Sequence, residues 1–399
     1  EPAPAPVPAP AVPFWKRELH VGRPRAPRAP RPRVRLPRLS PRLPSRRRVG
    51  GAERIVGLKI GGSQIAAARV ANDGVASLEQ VARRPLPAGV VVGGELREPE
   101  RLAAELRAFF AEHKLPRRNV RLGIASARIG VRIFEIAGIE DERQFENAVR
   151  FRAQEALPVP LDEAVLDHRV LGESVDDEGQ IVRRVLLVVA HRDLVERYAA
   201  ACRAAGLSLA GVDLEAFALL RSLGAPTDRG GSALVAVALG HDRTTLAVSD
   251  GRICEFTRVL EWGGWALNVA LARVLDSTPA EVDGLKRRLS LAGAPPPDGL
   301  TQQQADAAVE AMRRSVESLA RELVASLQFY QAQPGSLGIG EVVITGGTAR
   351  LGGLGEELER LLGVGVRVGD PLGRLRVAKP VDDDELGSLA VAIGLGIED

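Results

Sequence analysis

Residues 56 to 67 read VGLKIGGSQIAA. An apolar run enters a Gly-Gly-Ser turn and leaves on small residues, the pattern of two strands joined by a tight turn. In such a turn the backbone N–H groups of Gly61 and Gly62 and the Ser63 hydroxyl are available to phosphate oxygens. Lys59 stands where turns of this kind often carry an acid. The same logic returns in SALVAVALGHDRTTLAVS, residues 232 to 249: an apolar strand, a turn containing Gly240 with the hydroxyls of Thr244 and Thr245 beyond it, and a return strand. Two such hairpins, roughly 180 residues apart, form a weak internal repeat and predict an α/β protein with two like lobes facing one cleft.

Helical and alternating patterns fill the space around the hairpins. REPERLAAELRAFFAEHKL has helical periodicity and precedes the strand NVRLGIAS. A mixed block follows, with strands at VRIFEIAGI, EAVLDHRVLGES and VRRVLLVVAH, and a helix at DERQFENAVRFRAQEAL ended by Pro158 and Pro160. The breaker GAPTDRGG opens a second half, in which helices at ALNVALARVL, PAEVDGLKRRL and QQQADAAVEAMRRSVESLARELVASLQFYQA lead to the strand EVVITGG and a last helix at DELGSLAVAIGLGI.

The 399 residues, 45% of them hydrophobic, suffice for two or more packed lobes. No apolar run has the length of a membrane span and the start lacks the apolar block of a signal peptide, so a cytoplasmic protein is expected. Cys202 and Cys254 have no CxxC partner, and the five histidines lie at no metal-ligand spacing, so core packing is the expectation for the thiols and no metal site is predicted. Charge divides sharply. Residues 1 to 50 carry 13 basic residues against 2 acidic ones and 13 of the 27 prolines, whereas the remainder holds 41 basic against 49 acidic. That stretch reads as a disordered tail directed to an anionic surface, and the acidic body argues against nucleic acid. Within it, Phe14 and Trp15 in PFWKREL read either as a motif docking on a partner or an anionic membrane, or as a chance cluster in a linker.

Three segments narrow the reading: RFRAQEALPVPLDEAVLDHRVLGE (150–173), VLLVVAHRDLVERYAAACRAAGLSLAGVDLEAFALLRSL (185–223) and EVVITGGTARLGGLGEELERLLGVGVRVGDPLGRL (341–375). Together they closely resemble the PilM family, FtsA-related components of type IV pilus assembly, and the resemblance runs in order over about residues 53 to 397. It implies an actin-like two-lobed fold with an inserted small α+β subdomain. On that plan residues 51–223 form the first lobe with an insert at about 119–190. Residues 224–399 form the second lobe, with a helical subdomain at about 263–338 and a last helix returning to the first lobe. It also implies a cytoplasmic scaffold that binds the amino-terminal peptide of the membrane protein PilN, in a groove involving the first lobe and the insert, and couples pilus motor ATPases to the inner-membrane complex.

The resemblance further implies ATP or ADP in the cleft, with one carboxylate from each hairpin orienting magnesium. Here those positions hold Lys59 and Ala238, and neither offers an oxygen ligand, which weighs against hydrolysis. Other pieces remain: Gly61, Gly62, Ser63, Gly240, Thr244 and Thr245 for phosphates, Gly346, Gly347 and Thr348 for close approach to adenosine, and Asp283 with Lys286, an acid-x-x-lysine pattern that related proteins use around adenosine. Only five of the 54 basic residues are lysine, and two of these, Lys59 and Lys286, fall on the expected cleft. Lys59 either neutralises phosphate in place of the metal or pairs with a nearby acid in an empty, structural cleft. An actin-fold ATPase or small-molecule kinase is the enzyme alternative, with Asp213 and Asp242 as the carboxylates to test. An FtsA-like division protein is a third reading, but that role expects an amphipathic carboxy-terminal helix where this chain reads GLGIED. For the partner groove the candidates are Phe145, Val149, Phe151, Leu157 and Pro158, against core packing as the alternative for most of them.

Overall fold

The computed structural model describes residues 53–156, 160–224, 231–333, 335–378 and 380–398. The basic stretch with Phe14 and Trp15, and the pair Leu157 and Pro158, lie outside the described residues. The first lobe opens with β1 (Glu53–Ile60), β2 (Gln64–Asn72) and β3 (Ser77–Pro85). It continues through a short hairpin, β4 (Val91–Val92) and β5 (Glu95–Leu96), to helix α1 (Pro99–Glu112) and returns on β6 (Val120–Ile124). A smaller unit follows, comprising β7 (Ile129–Ala137), α2 (Glu142–Ala156), β8 (Ala164–Val175) and β9 (Ile181–His191). The chain then forms α3 (Arg192–Ala204), β10 (Leu209–Leu214) and α4 (Glu215–Leu223). The second lobe has β11 (Ser232–Leu239), β12 (Thr244–Ser249), β13 (Cys254–Leu260), α5 (Gly264–Leu275), α6 (Asp283–Lys286) and α7 (Gln302–Gln331). It goes on through β14 (Gly338–Thr345), α8 (Leu354–Leu362) and β15 (Val366–Val368), before β16 (Arg376–Val377) and α9 (Asp383–Gly396).

The two large sheets repeat one topology. In the first the strand order is β10-β6-β1-β2-β3-β16, and in the second it is β13-β12-β11-β14-β15. Each is built on an antiparallel hairpin, β1 with β2 and β11 with β12, whose first strand also pairs in parallel with a later strand, β6 or β14. Strands such as β11 are buried along nearly their whole length, as expected where helices cover both faces of a sheet. In the first lobe α1 and α3 supply one cover, and α9 lies on the other face against β1, β2 and α4. Cys202 and Cys254 are buried in these cores, and burial pushes both thiols up to about 12.

Two boundaries differ from expectation. The strand at Val120–Ile124 lies between β1 and β10 in the first sheet, so the small unit is the three-stranded sheet β7-β9-β8 with α2, spanning 129–191 rather than starting at 119. The apolar run of β6 is covered on both faces, which suits an interior strand. PAEVDGLKRRL yields only the four-residue α6, with Pro279 near its start and Gly284 in its middle weakening a longer helix.

Candidate functional site: an interlobe cleft bridged by ions

The hairpin turns meet at the cleft. Gly61 donates its N–H to the Gln64 carbonyl (2.9 Å), and Gly240 donates to the Arg243 carbonyl (3.0 Å), so the turns close in the same way. Cross-strand partners agree: Lys59 faces Ala66 and Ala238 faces Thr245, which places Lys59 and Ala238 at equivalent points of the two lobes. The turns are also in contact, because a Cβ built on Gly62 would lie 2.7 Å from Oδ2 of Asp242. A side chain at 62 would have to push the Asp242 carboxylate aside.

Asp242 and Arg243 reach from the second lobe into the first. Oδ2 of Asp242 accepts the backbone N–H of Gly93 at 2.7 Å. The Arg243 guanidinium donates to the Ile60 carbonyl (3.3 Å) and lies 3.5 Å from Oε1 of Glu215 at the start of α4. The other Glu215 oxygen lies 3.5 Å from the Lys59 ammonium. Glu215 and Arg243 are 2% and 7% exposed, so this ion cluster is shielded from water and from salt. Burial pulls the Arg243 guanidinium down, but the carboxylates of Glu215 and Asp242 outweigh it and hold the group above its ordinary value. Of the two readings for Lys59, the structure places it beside an acid.

A second group of predicted residues assembles in the second lobe. Gly240 offers its carbonyl to the Thr348 hydroxyl (2.9 Å) and to the Gly264 N–H (2.9 Å). Lys286 bridges the Gly264 carbonyl (3.2 Å) and Asp283 (2.9 Å), which also accepts from Asn268 (3.1 Å). Burial opposes ionisation of Asp283, yet Asn268 and Lys286 prevail and hold its carboxyl down at about 2. Gly346 has φ +95°, a conformation that favours glycine, and its N–H donates to the Gly387 carbonyl at 3.0 Å, while the space over Gly347 is open. The rings of half-buried His241 and exposed Trp265 lie 5.4 Å apart beside these residues. Burial lowers the His241 pKa, and Asp242 only partly opposes it.

Other predicted residues are not brought to the cleft. Thr244 is fully buried, its hydroxyl donated to the Trp262 carbonyl (2.8 Å), and Thr245 is 3% exposed, so both belong to the strand interior rather than to the turn. Asp213 is ion-paired with Arg221, and Asp242 is held by Gly93, which leaves neither poised over an open substrate pocket. Phe145 and Val149 correct a second expectation. They are 0% and 3% exposed in the core of the small unit with Ile136, Val185 and Leu187, and the Arg183 guanidinium caps the Phe145 ring at 4.8 Å. Spaced i, i+4, they face the sheet, whereas Phe151 on the same helix is 65% exposed.

The residues fit magnesium poorly. The positions expected to orient it hold an ammonium and a methyl group, and the nearby carboxylates, Glu215 and Asp242, are bound to internal partners. Of the residues expected near adenosine, Lys286 and Thr348 come together around Gly264 and Gly240. Sequence reading missed Glu215 and Arg243, the centre of the cluster. One read as an acid in the first turn of a helix and the other as a turn residue.

Comparison with known proteins agrees with this architecture. The family model described as type IV pilus assembly protein PilM matches residues 57–399. Among solved structures, the PilM–PilN type IV pilus biogenesis complex superposes with a TM-score of 0.72 at 25% identity, covering 86% of this chain and 97% of that one. EutJ, an ethanolamine utilization protein from Carboxydothermus hydrogenoformans, gives 0.51 at 16% identity, covering 86% and 89%. MreB5 of Spiroplasma citri bound to AMPPNP gives 0.50 at 11%, covering 86% and 94%. The last two show the shared actin-like fold alone. The family match spans most of the chain and includes both hairpin turns, the small unit and the segment with Gly346 and Gly347: the chain belongs to the PilM family of type IV pilus assembly proteins.

Proposed function

We propose that this protein is a cytoplasmic scaffold of type IV pilus assembly that binds the amino-terminal peptide of a PilN-like inner-membrane protein and links it to the motor ATPases. The observation that carries this reading is the similarity of 86% of this chain to 97% of a chain in a PilM–PilN type IV pilus biogenesis complex. Among the described residues no helix is long and apolar enough to cross a membrane.

The small unit supplies a physical basis. β8 pairs with β9 alone among the described strands, so its other edge has no strand partner. An extended peptide can add to such an edge through main-chain hydrogen bonds, with apolar side chains as anchors. Phe151, Val170 and Val175 are exposed apolar residues of this unit, at 65%, 39% and 67%. Calorimetry with the amino-terminal cytoplasmic peptide of a PilN-like protein from the same organism is expected to give micromolar or tighter binding, since each buried apolar anchor contributes about 1.5 to 3 kcal/mol. Val170→Asp is expected to weaken it at least about tenfold, or 1.4 kcal/mol, without unfolding the protein. Binding that vanishes at 0.5 M salt would assign recognition to charged surface instead, and no binding would remove the reading.

In the cleft we propose weak nucleotide binding around Lys286 and Thr348 and degenerate hydrolysis. Lys59 and Ala238 leave developing phosphate charge without metal support. Turnover with ATP and magnesium is expected to stay at background. A rate on the order of 1 per second or more would overturn this assignment.

A further inference from the structure

We propose that the first lobe carries an anion seat, formed by the Gly93 N–H beside the Gly62 turn, and that Asp242 of the second lobe occupies it as an internal competitor of nucleotide phosphates. The inference rests on the nucleotide reading of the cleft and deepens it by naming the residue that sets phosphate affinity.

The seat is built by the fold. Gly93 and Gly94 form the two-residue turn between β4 and β5, with φ values of +59° and +83°, as a tight hairpin turn of this kind requires. The turn is fixed in place, because a Cβ on Gly94 would lie 2.4 Å from the Ala125 carbonyl oxygen, and the Tyr198 hydroxyl donates to the Gly94 carbonyl at 3.0 Å. The Gly93 N–H points across the interlobe gap at Oδ2 of Asp242, at 2.7 Å, the length of a charge-assisted hydrogen bond. The same carboxylate presses on Gly62, in the turn whose backbone would otherwise meet phosphate.

The charges behind the seat are balanced internally. Lys59 and Arg243 face Glu215, and Oδ1 of Asp242 lies 3.7 Å from Nη1 of Arg243, so two cations meet two carboxylates, and the loose spacings leave Oε1 of Glu215 and Nη1 of Arg243 buried without a hydrogen-bond partner. The cleft thus has the cations of a phosphate site, but an internal carboxylate sits at its mouth. A phosphate oxygen must displace Asp242 from Gly93 and bear its repulsion if it stays near. Asp242 is 18% exposed, so it can be replaced without excavating the core.

Calorimetry at low salt on the full chain, with ADP and with inorganic tripolyphosphate, tests the seat. Asp242→Ala is expected to bind both at least about tenfold tighter than wild type. Asp242→Asn, which keeps an acceptor for Gly93 but loses the charge, should fall between. Asp73→Ala, which removes an exposed acid from the β2–β3 turn, should change nothing. A gain for tripolyphosphate but not ADP supports the seat while removing the nucleotide reading. No gain for either anion in a folded Asp242→Ala protein, an equal gain in Asp73→Ala, or micromolar ADP binding by the wild type overturns the seat. Of these, the last leaves the nucleotide reading standing.

Discussion

Replacing Arg243 with methionine is expected to lower folding stability by about 3 to 5 kcal/mol, measured by urea unfolding. Methionine preserves much of the side-chain volume, so the loss reports charge and hydrogen bonding rather than a cavity. The substitution removes the donor to the Ile60 carbonyl and leaves Glu215, 2% exposed, with Lys59 alone at 3.5 Å. A buried carboxylate that loses its closest buried counter-ion carries a desolvation cost that one partly exposed ammonium offsets incompletely. Glu215→Gln in the same chain should restore part of the loss, giving a coupling energy of at least about 1 kcal/mol, because the stranded charge is gone. Independent, additive effects of the two substitutions would show that the ion cluster does not bind the lobes together.

The cluster also marks where sequence reading stops. The hairpins were legible because their signals are local: apolar runs on either side of glycine, repeated in the same order in both lobes. Helix α2 was legible for the same reason, and the i, i+4 spacing of Phe145 and Val149 already carried the sign of a core face. β3, β4 and β5 left a weaker trace, because charged residues interrupt SLEQVARRP and two-residue strands have no period to detect. Glu215 and Arg243 were beyond reach for another reason. Each has an ordinary local role, in a helix's first turn and in a hairpin turn, and their pairing exists only once the lobes pack. The absence of acids at 59 and 238 was readable from the chain, but what replaces them was not.

Gly394→Val is expected to destabilise the protein by about 3 kcal/mol or more, the upper end of overpacking effects, because nothing around it can yield. Helix α9 crosses α4 so closely that a Cβ on Gly394 would lie 1.8 Å from the Ala218 carbonyl oxygen. Backbone atoms of a packed helix cannot rotate away as a side chain can. The neighbouring approaches are also close, with a Cβ on Gly57 placed 2.1 Å from the Ala392 oxygen and one on Gly396 placed 2.5 Å from a Val70 methyl. Arg221 ties the same point by donating to the Gly394 carbonyl at 2.9 Å. Relief therefore requires α4 to shift as a body, and α4 begins at Glu215. At its other end α9 meets the second lobe, where the Gly387 carbonyl accepts from the Gly346 N–H. The substitution should thus disturb both the ion cluster and the Gly346 turn without touching either directly. Gly355→Ala in α8, whose added methyl meets nothing within 4 Å, serves as the contrast and should be neutral or stabilising by up to about 1 kcal/mol. If Gly394→Val stays within about 1 kcal/mol of wild type in urea unfolding, the α4–α9 crossing is looser than these distances allow, and α9 is not the rigid link between the lobes.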